Sequence, residues 1–168
     1  AIFGLEPKKY FLFFGAIEPK KNVARIIEAY LASRSKLPLV IVGQVTWNND
    51  NDLRLLKVSQ ARQQASAERR DDMTVSESSS GGQIIRLDYL PLNLLTSLIR
   101  GARAVVFPSL YEGFGLPILE AMQLGTAVIT GTQGSNPEVA GDGAYLVDPY
   151  DVGAIAKAIR DLQSDSDM

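Results

Sequence analysis

The chain has 168 residues, 46% hydrophobic and 21% charged, with a net charge of −2. One globular domain with a proper core is expected, with no general attraction to nucleic acid or anionic lipid. Cysteine and histidine are both absent, which excludes disulfides, thiolate chemistry, the usual zinc sites and every histidine-based triad or general base. No apolar run reaches membrane-span length and no signal peptide is visible. The expected location is the cytoplasm or the inner face of the membrane. The chain opens at Ala1 rather than Met, and we read it as part of a larger protein.

Strand and helix signals alternate. "YFLFFGA" (10–16) is a continuous aromatic and apolar run ending in Gly, as a strand buried on both faces requires. Asn22 is placed to cap a helix whose apolar stripe is Val23, Ile26, Ile27, Tyr30 and Leu31. "LPLVIVG" (37–43) is a second buried strand. Residues 50–70 suggest a polar helix, and "DDMTVSESSSGG" (71–82) a mobile Ser/Gly-rich loop. A strand follows over 83–90. Pro91 then opens a helix that buries Leu94, Leu95, Leu98 and Ile99. "ARAVVFPS" (102–109) is a strand, and Pro117 opens a helix with Leu116, Leu119 and Met122 spaced for burial. Strands at 125–131 and 143–149 precede a last helix capped by Asp151. This alternation predicts an α/β fold, a doubly wound parallel sheet of Rossmann-like type. Ligands on such sheets sit beyond the carboxyl ends of the strands, so the polar stretches 15–22, 109–115 and 131–138 are expected to meet at one edge.

Those stretches hold the candidate site. In "GAIEPKKN" (15–22), Gly15 ends a strand, and Lys20 and Lys21 stand just before a helix. Such a start attracts anions through its free N–H groups and dipole. A solvated basic turn is the plain alternative, and taken alone this stretch favours it. It is neither a Walker loop nor a G-x-G-x-x-G turn. "EGFGLPILE" (112–120) is sharper. Gly113 and Gly115 let backbone approach a ligand, Pro117 starts a helix, and Glu112 and Glu120 would meet different parts of one elongated ligand. A favourable helix end explains Glu120, but not Glu112 or Gly-Phe-Gly. The loop over 130–143, with Glu138, reads as structural. Asp50 and Asp52 read as solvated.

The run "PSLYEGFGLPILEAMQLGTAVITGTQGSNPEVAGDGAYLVDP" resembles the signature of the nucleotide-sugar-binding half of glycosyltransferase family 4, retaining enzymes of GT-B architecture. Its E-x7-E motif is Glu112 to Glu120. "FFGAIEPKKNVARIIEAY" and "IIRLDYLPLNLLTSLIRGARAVVFPS" are similar to the family's segments before it. The resemblance implies one donor-binding domain over 1–168, with a family-variable insertion over 48–82 and the acceptor-binding N-terminal Rossmann domain missing. It implies transfer of a hexose, of mannose or glucose type, from a GDP-, UDP- or ADP-linked sugar to a glycan or lipid-linked acceptor, without metal or other cofactor. Glu112 would contact the donor sugar and Glu120 the ribose hydroxyls. Lys21 would bind the diphosphate, making Glu112 and Lys21 the catalytic residues. Gly15 and the backbone of Gly113, Phe114, Gly115 and Leu116 would line the donor, and Tyr89 and Leu90 would border the base. Many members carry an arginine directly after the first strand's glycine. Here Ala16 stands there, so Lys20 is expected to supply the second positive charge.

The main competing reading keeps the fold but makes the chain a non-catalytic nucleotide-binding or regulatory module. A dehydrogenase domain fails on the missing glycine fingerprint. A flavodoxin-like signalling domain fails because the first strand ends in a basic segment, where such domains place an acidic cluster.

Overall fold

The computed structural model describes residues 3–46, 54, 73–77 and 82–164. The chain runs β1 (Phe11–Phe14), α1 (Val23–Ser33), β2 (Leu39–Val42), β3 (Met73–Glu77), β4 (Gln83–Leu87), α2 (Leu92–Gly101), β5 (Ala104–Phe107), α3 (Leu116–Gln123), β6 (Ala127–Gly131), α4 (Asn136–Ala140), β7 (Tyr145–Val147) and α5 (Val152–Ser164). Every residue of β1, β2 and β5 is buried, because helices cover both faces of the sheet's centre.

The sheet has the order β3-β4-β2-β1-β5-β6-β7. All neighbours pair in parallel except β3, which lies antiparallel on the outer edge of β4. From β1 the chain steps outward to β2 and β4, then returns to lay β5 against the other side of β1. Winding therefore reverses between β1 and β5, and this reversal opens a crevice beyond their carboxyl ends. The predicted doubly wound Rossmann-like sheet is present.

Three expectations need correction. Residues 73–77, read as loop, form a strand in register with β4 from Met73↔Leu87 to Glu77↔Gln83; the free edge of β4 pairs a short Met-Thr-Val-Ser-Glu run whose strand signal the Ser/Gly-rich residues after it in the sequence obscure. The buried face of α3 is Ile118 and Ala121, while Leu116 is exposed and Leu119 and Met122 are half-buried. On α2 only Leu98 and Ile99 are fully buried. The predicted helix over 50–70 and the Asp50–Asp52 pair fall outside the described residues, apart from Arg54, which is helical.

Side chains tie the amino ends of the strands to neighbouring elements. Tyr10 OH donates to Leu98 O at 2.7 Å, and burial pushes its phenol up to about 12. Tyr30 OH reaches Leu37 O and Gln83 O, and burial raises it in the same way. Lys8 Nζ donates to Arg100 O and Ala102 O near the end of α2. Arg103 Nε donates to Leu162 O on α5. Asp151 caps α5 as predicted, accepting from Ala154 N at 3.0 Å. Among the described residues no helix is long and apolar enough to cross a membrane.

Candidate functional site

The three polar stretches meet. Leu110 N donates to Lys20 O at 2.8 Å, joining the loop after β5 to the loop after β1. Ser135 Oγ donates to Glu112 O at 3.1 Å, joining it to the loop after β6. Adjacent parallel strands release their chains at the same edge, so loops distant in sequence become neighbours.

Lys21 closes a short 3-10 turn, Pro19–Lys21, and its ammonium lies 2.5 Å from Glu112 Oε1. The two side chains are 12% and 9% exposed. The ammonium also stands 5.2 Å from the centroid of the Phe107 ring, which stacks on Phe13 at 5.9 Å. An aromatic face is a favourable wall for a cation withdrawn from water.

Glycines shape the crevice where the backbone demands them. Gly15 has φ 135° at the exit of β1, and a Cβ on Gly43 would stand 1.9 Å from Gly15 O, so the exits of β1 and β2 are pressed together. Gly115 caps α3 with φ 81°. Beside it, the N–H groups of Gly113, Phe114, Gly115 and Leu116 donate to no acceptor among the described residues. A row of free donors at the start of a helix suits an anion or a set of hydroxyls. Leu116 and Glu120, four residues apart, share the exposed stripe of α3.

Of the predicted site residues, Gly15, Lys20, Lys21, Glu112 and the segment 113–116 gather within these contacts. The Lys20 ammonium pairs with Glu18 at 3.3 Å and is half-exposed. Glu120 is exposed one turn along α3. Tyr89 and Leu90 follow β4, which is separated from β1 by β2. Tyr89 is 75% exposed, and Leu90 packs partly on the core.

Sequence reasoning missed the side chains that set the loop geometry. Asn22 stands where a cap was predicted, yet it adopts φ 64° and its side chain makes no cap bond. Instead its Nδ2 donates to Pro108 O at 2.9 Å and to Pro149 O at 2.7 Å, while its Oδ1 accepts from Arg25 Nη1. Asn136 is wholly buried, and its Nδ2 donates to Ser109 Oγ at 3.0 Å. Its Oδ1 has no hydrogen-bond partner among the described residues and lies against Gly115. Thr130 Oγ1 donates to Phe107 O. The signal in the sequence was faint: polar residues beside strand ends, with partners far away along the chain.

A separate depression of about 390 Å³, lined by Phe3, Lys9, Lys36, Leu37, Gln83 and their neighbours, lies at the amino ends of the strands. It is remote from this chemistry, and the convergent polar groups are not there.

A doubly wound sheet with a cation, a carboxylate and free backbone donors at its switch point defines a Rossmann-like domain of the kind found in GT-B glycosyltransferases. A family model described as glycosyl transferases group 1 matches residues 2–168, and the chain belongs to this family. It is 37% identical over 162 residues to O-antigen chain mannosyltransferase B of Escherichia coli, covering 94% of this chain and 38% of that protein. It is 31% identical over 163 residues to the serotype-specific mannosyltransferase WbdA of Escherichia coli, covering 95% and 18%. The chain thus spans about two fifths, or less, of the length of these relatives. The C-terminal domain of a group 1 glycosyl transferase family protein (LpcC) from Francisella tularensis superposes with TM-score 0.70 at 32% identity, over 96% of this chain and 78% of that one. Anabaena Alr3699/HepE, solved with UDP-glucose, gives TM-score 0.72 at 20% identity, over 94% and 40%, a likeness of fold.

Proposed function

We propose that this chain is the donor-binding domain of a retaining family 4 glycosyltransferase that moves a mannose- or glucose-type hexose from a nucleotide diphosphate sugar to a glycan or lipid-linked acceptor. The acceptor would bind to an N-terminal Rossmann domain of the parent protein. The observation that carries this reading is the Lys21 ammonium beside Glu112, next to the N–H groups at the start of α3 that find no acceptor among the described residues.

In this reading Lys21 and the N–H groups at 113–116 receive the diphosphate, whose charge grows as the glycosidic bond breaks. Fixed cations and oriented donors stabilise such a leaving group in a water-poor cleft, and one lost donor at such a site costs about 2.7–4 kcal/mol of transition-state stabilisation. No metal is required. Glu112 accepts from sugar hydroxyls, Glu120 from the ribose, and Tyr89 and Leu90 border the base. The names of the mannosyltransferase relatives and the UDP-glucose bound to HepE support a sugar nucleotide as the ligand class.

A thermal-shift panel of UDP-, GDP- and ADP-sugars tests the reading. A ligand that binds only the folded chain at 100 times its Kd adds about 2.7 kcal/mol, so one nucleotide class is expected to raise the melting temperature and the others much less. Flat response across the panel, or NADH displacing UDP and GDP, overturns it. Transfer to an acceptor needs the second domain, so no product is expected from the 168-residue chain alone.

A further inference from the structure

We propose that the Lys21–Glu112 ion pair is a resting contact which the diphosphate of the donor exchanges: the anion takes the ammonium, and the carboxylate so released turns to the sugar. The proposal rests on the donor-binding reading above and adds an order of events within it.

The geometry motivates the exchange. Lys21 Nζ is 2.5 Å from Glu112 Oε1, and the side chains are 12% and 9% exposed, so each charge is largely neutralised by the other. A diphosphate brought to Lys21 with Glu112 still in place would stand beside a carboxylate of like sign, an arrangement that costs affinity. Nothing in the backbone needs to move to relieve this. Glu112 O is held by Ser135 Oγ, and Leu110 N by Lys20 O. The carboxylate and the ammonium sit at the ends of flexible side chains. A lysine is a point charge on a four-carbon stem, able to follow a new anion without a fixed fork geometry. One face of the ammonium rests over Phe107, which holds it near the crevice when Glu112 departs.

The exchange links two recognition events. A bare diphosphate must break the pair and leaves Glu112 without a partner. A sugar diphosphate breaks the same pair but supplies hydroxyls that the freed carboxylate accepts. The ion pair therefore selects for the intact donor over a lone diphosphate, including the spent nucleotide.

The test is calorimetric titration of the chain with inorganic pyrophosphate, a probe with neither base nor sugar, across wild type, Glu112→Gln, Lys21→Gln and the double variant. Glu112→Gln is expected to tighten pyrophosphate by about fivefold to tenfold. That gain should vanish when Lys21→Gln is also present, since a double-mutant cycle isolates the pair. Glu112→Ala serves as a second variant if the Gln form fails to fold. Equal or weaker pyrophosphate affinity in both Glu112 variants, no measurable pyrophosphate binding by any of the proteins, or a gain that survives without Lys21, overturns the exchange. A parallel titration with GDP, UDP, GDP-mannose and UDP-glucose separates the two ideas. If these bind no tighter than pyrophosphate while Glu112→Gln still tightens pyrophosphate, the donor reading falls with the sugar step, and what stands is displacement of Glu112 from Lys21 by a diphosphate. If they bind well and the pyrophosphate gain is missing, the reverse holds.

Discussion

Asn22 and Asn136 grip the exit of β5 from opposite sides. Asn22 Nδ2 donates to Pro108 O, and Asn136 Nδ2 donates to Ser109 Oγ. Both side chains are buried, and between them they fix the segment that carries Glu112 toward Lys21.

Replacing Asn22 strands the buried carbonyls of Pro108 and Pro149 together. A buried polar group left without a partner costs about 1–3 kcal/mol. Asn22→Ala is therefore expected to lower the unfolding free energy by that amount or more. Asn22→Gly is expected to recover part of it, because glycine relieves the left-handed φ of 64°. Urea denaturation of both variants checks the order. Gly no better than Ala contradicts the backbone contribution.

The glycines at 113 and 115 should respond differently to alanine. A Cβ at Gly115 meets Ile118 Cδ1 at 3.2 Å on a backbone with φ 81°, and the left-handed region alone costs about 1–2 kcal/mol. A Cβ at Gly113 meets nothing within 4 Å. Gly115→Ala is expected to melt earlier. Gly113→Ala should fold as well as wild type but bind the proposed sugar nucleotide more weakly, because its methyl enters the open crevice. Paired melting and binding curves decide it.

Glu120 is exposed on α3 and is not part of the Lys21–Glu112 contact. Loss of a hydrogen bond to a charged group is worth about 1.5–3 kcal/mol. Glu120→Ala is expected to weaken a nucleoside diphosphate by about tenfold or more, and to leave inorganic pyrophosphate unchanged because that probe has no ribose. Equal weakening of both ligands would take Glu120 off the ribose.

Alkaline pH should loosen the amino end of the sheet. Burial raises Tyr10 from 10.0 to about 12, so the folded chain prefers the neutral phenol. Its contribution is fully present below pH 10 and is lost as pH rises through about 12. Tyr30 shifts in the same direction. Urea midpoints followed upward from neutrality are expected to fall in that window. Tyr10→Phe should start lower, for want of the bond to Leu98 O, and fall less steeply.

The central strands were legible because burial on both faces leaves an unbroken apolar run, as in Phe11 to Phe14 and Leu39 to Val42. The convergence of Lys21 and Glu112 was legible as topology, since chain ends at one sheet edge must meet. Strand β3 was not, because its five residues are too short a run to stand out from the Ser/Gly-rich stretch that follows, and its pairing is set by the edge of β4. Nor was the work of Asn22. A capping residue was expected from its position, but its amide is drawn to two carbonyls that lie 86 and 127 residues away along the chain. The exposed Leu116 inverted the expected stripe of α3, since that helix begins at the rim of the crevice.

The depression at the amino ends of the strands gives the molecule a handle. Lys36 and Lys9 line it, on the side of the sheet opposite the crevice. A biotin or dye attached there would orient the domain on a sensor with its mouth turned to solution, and docking of the proposed acceptor-side domain could then be tested without obstruction.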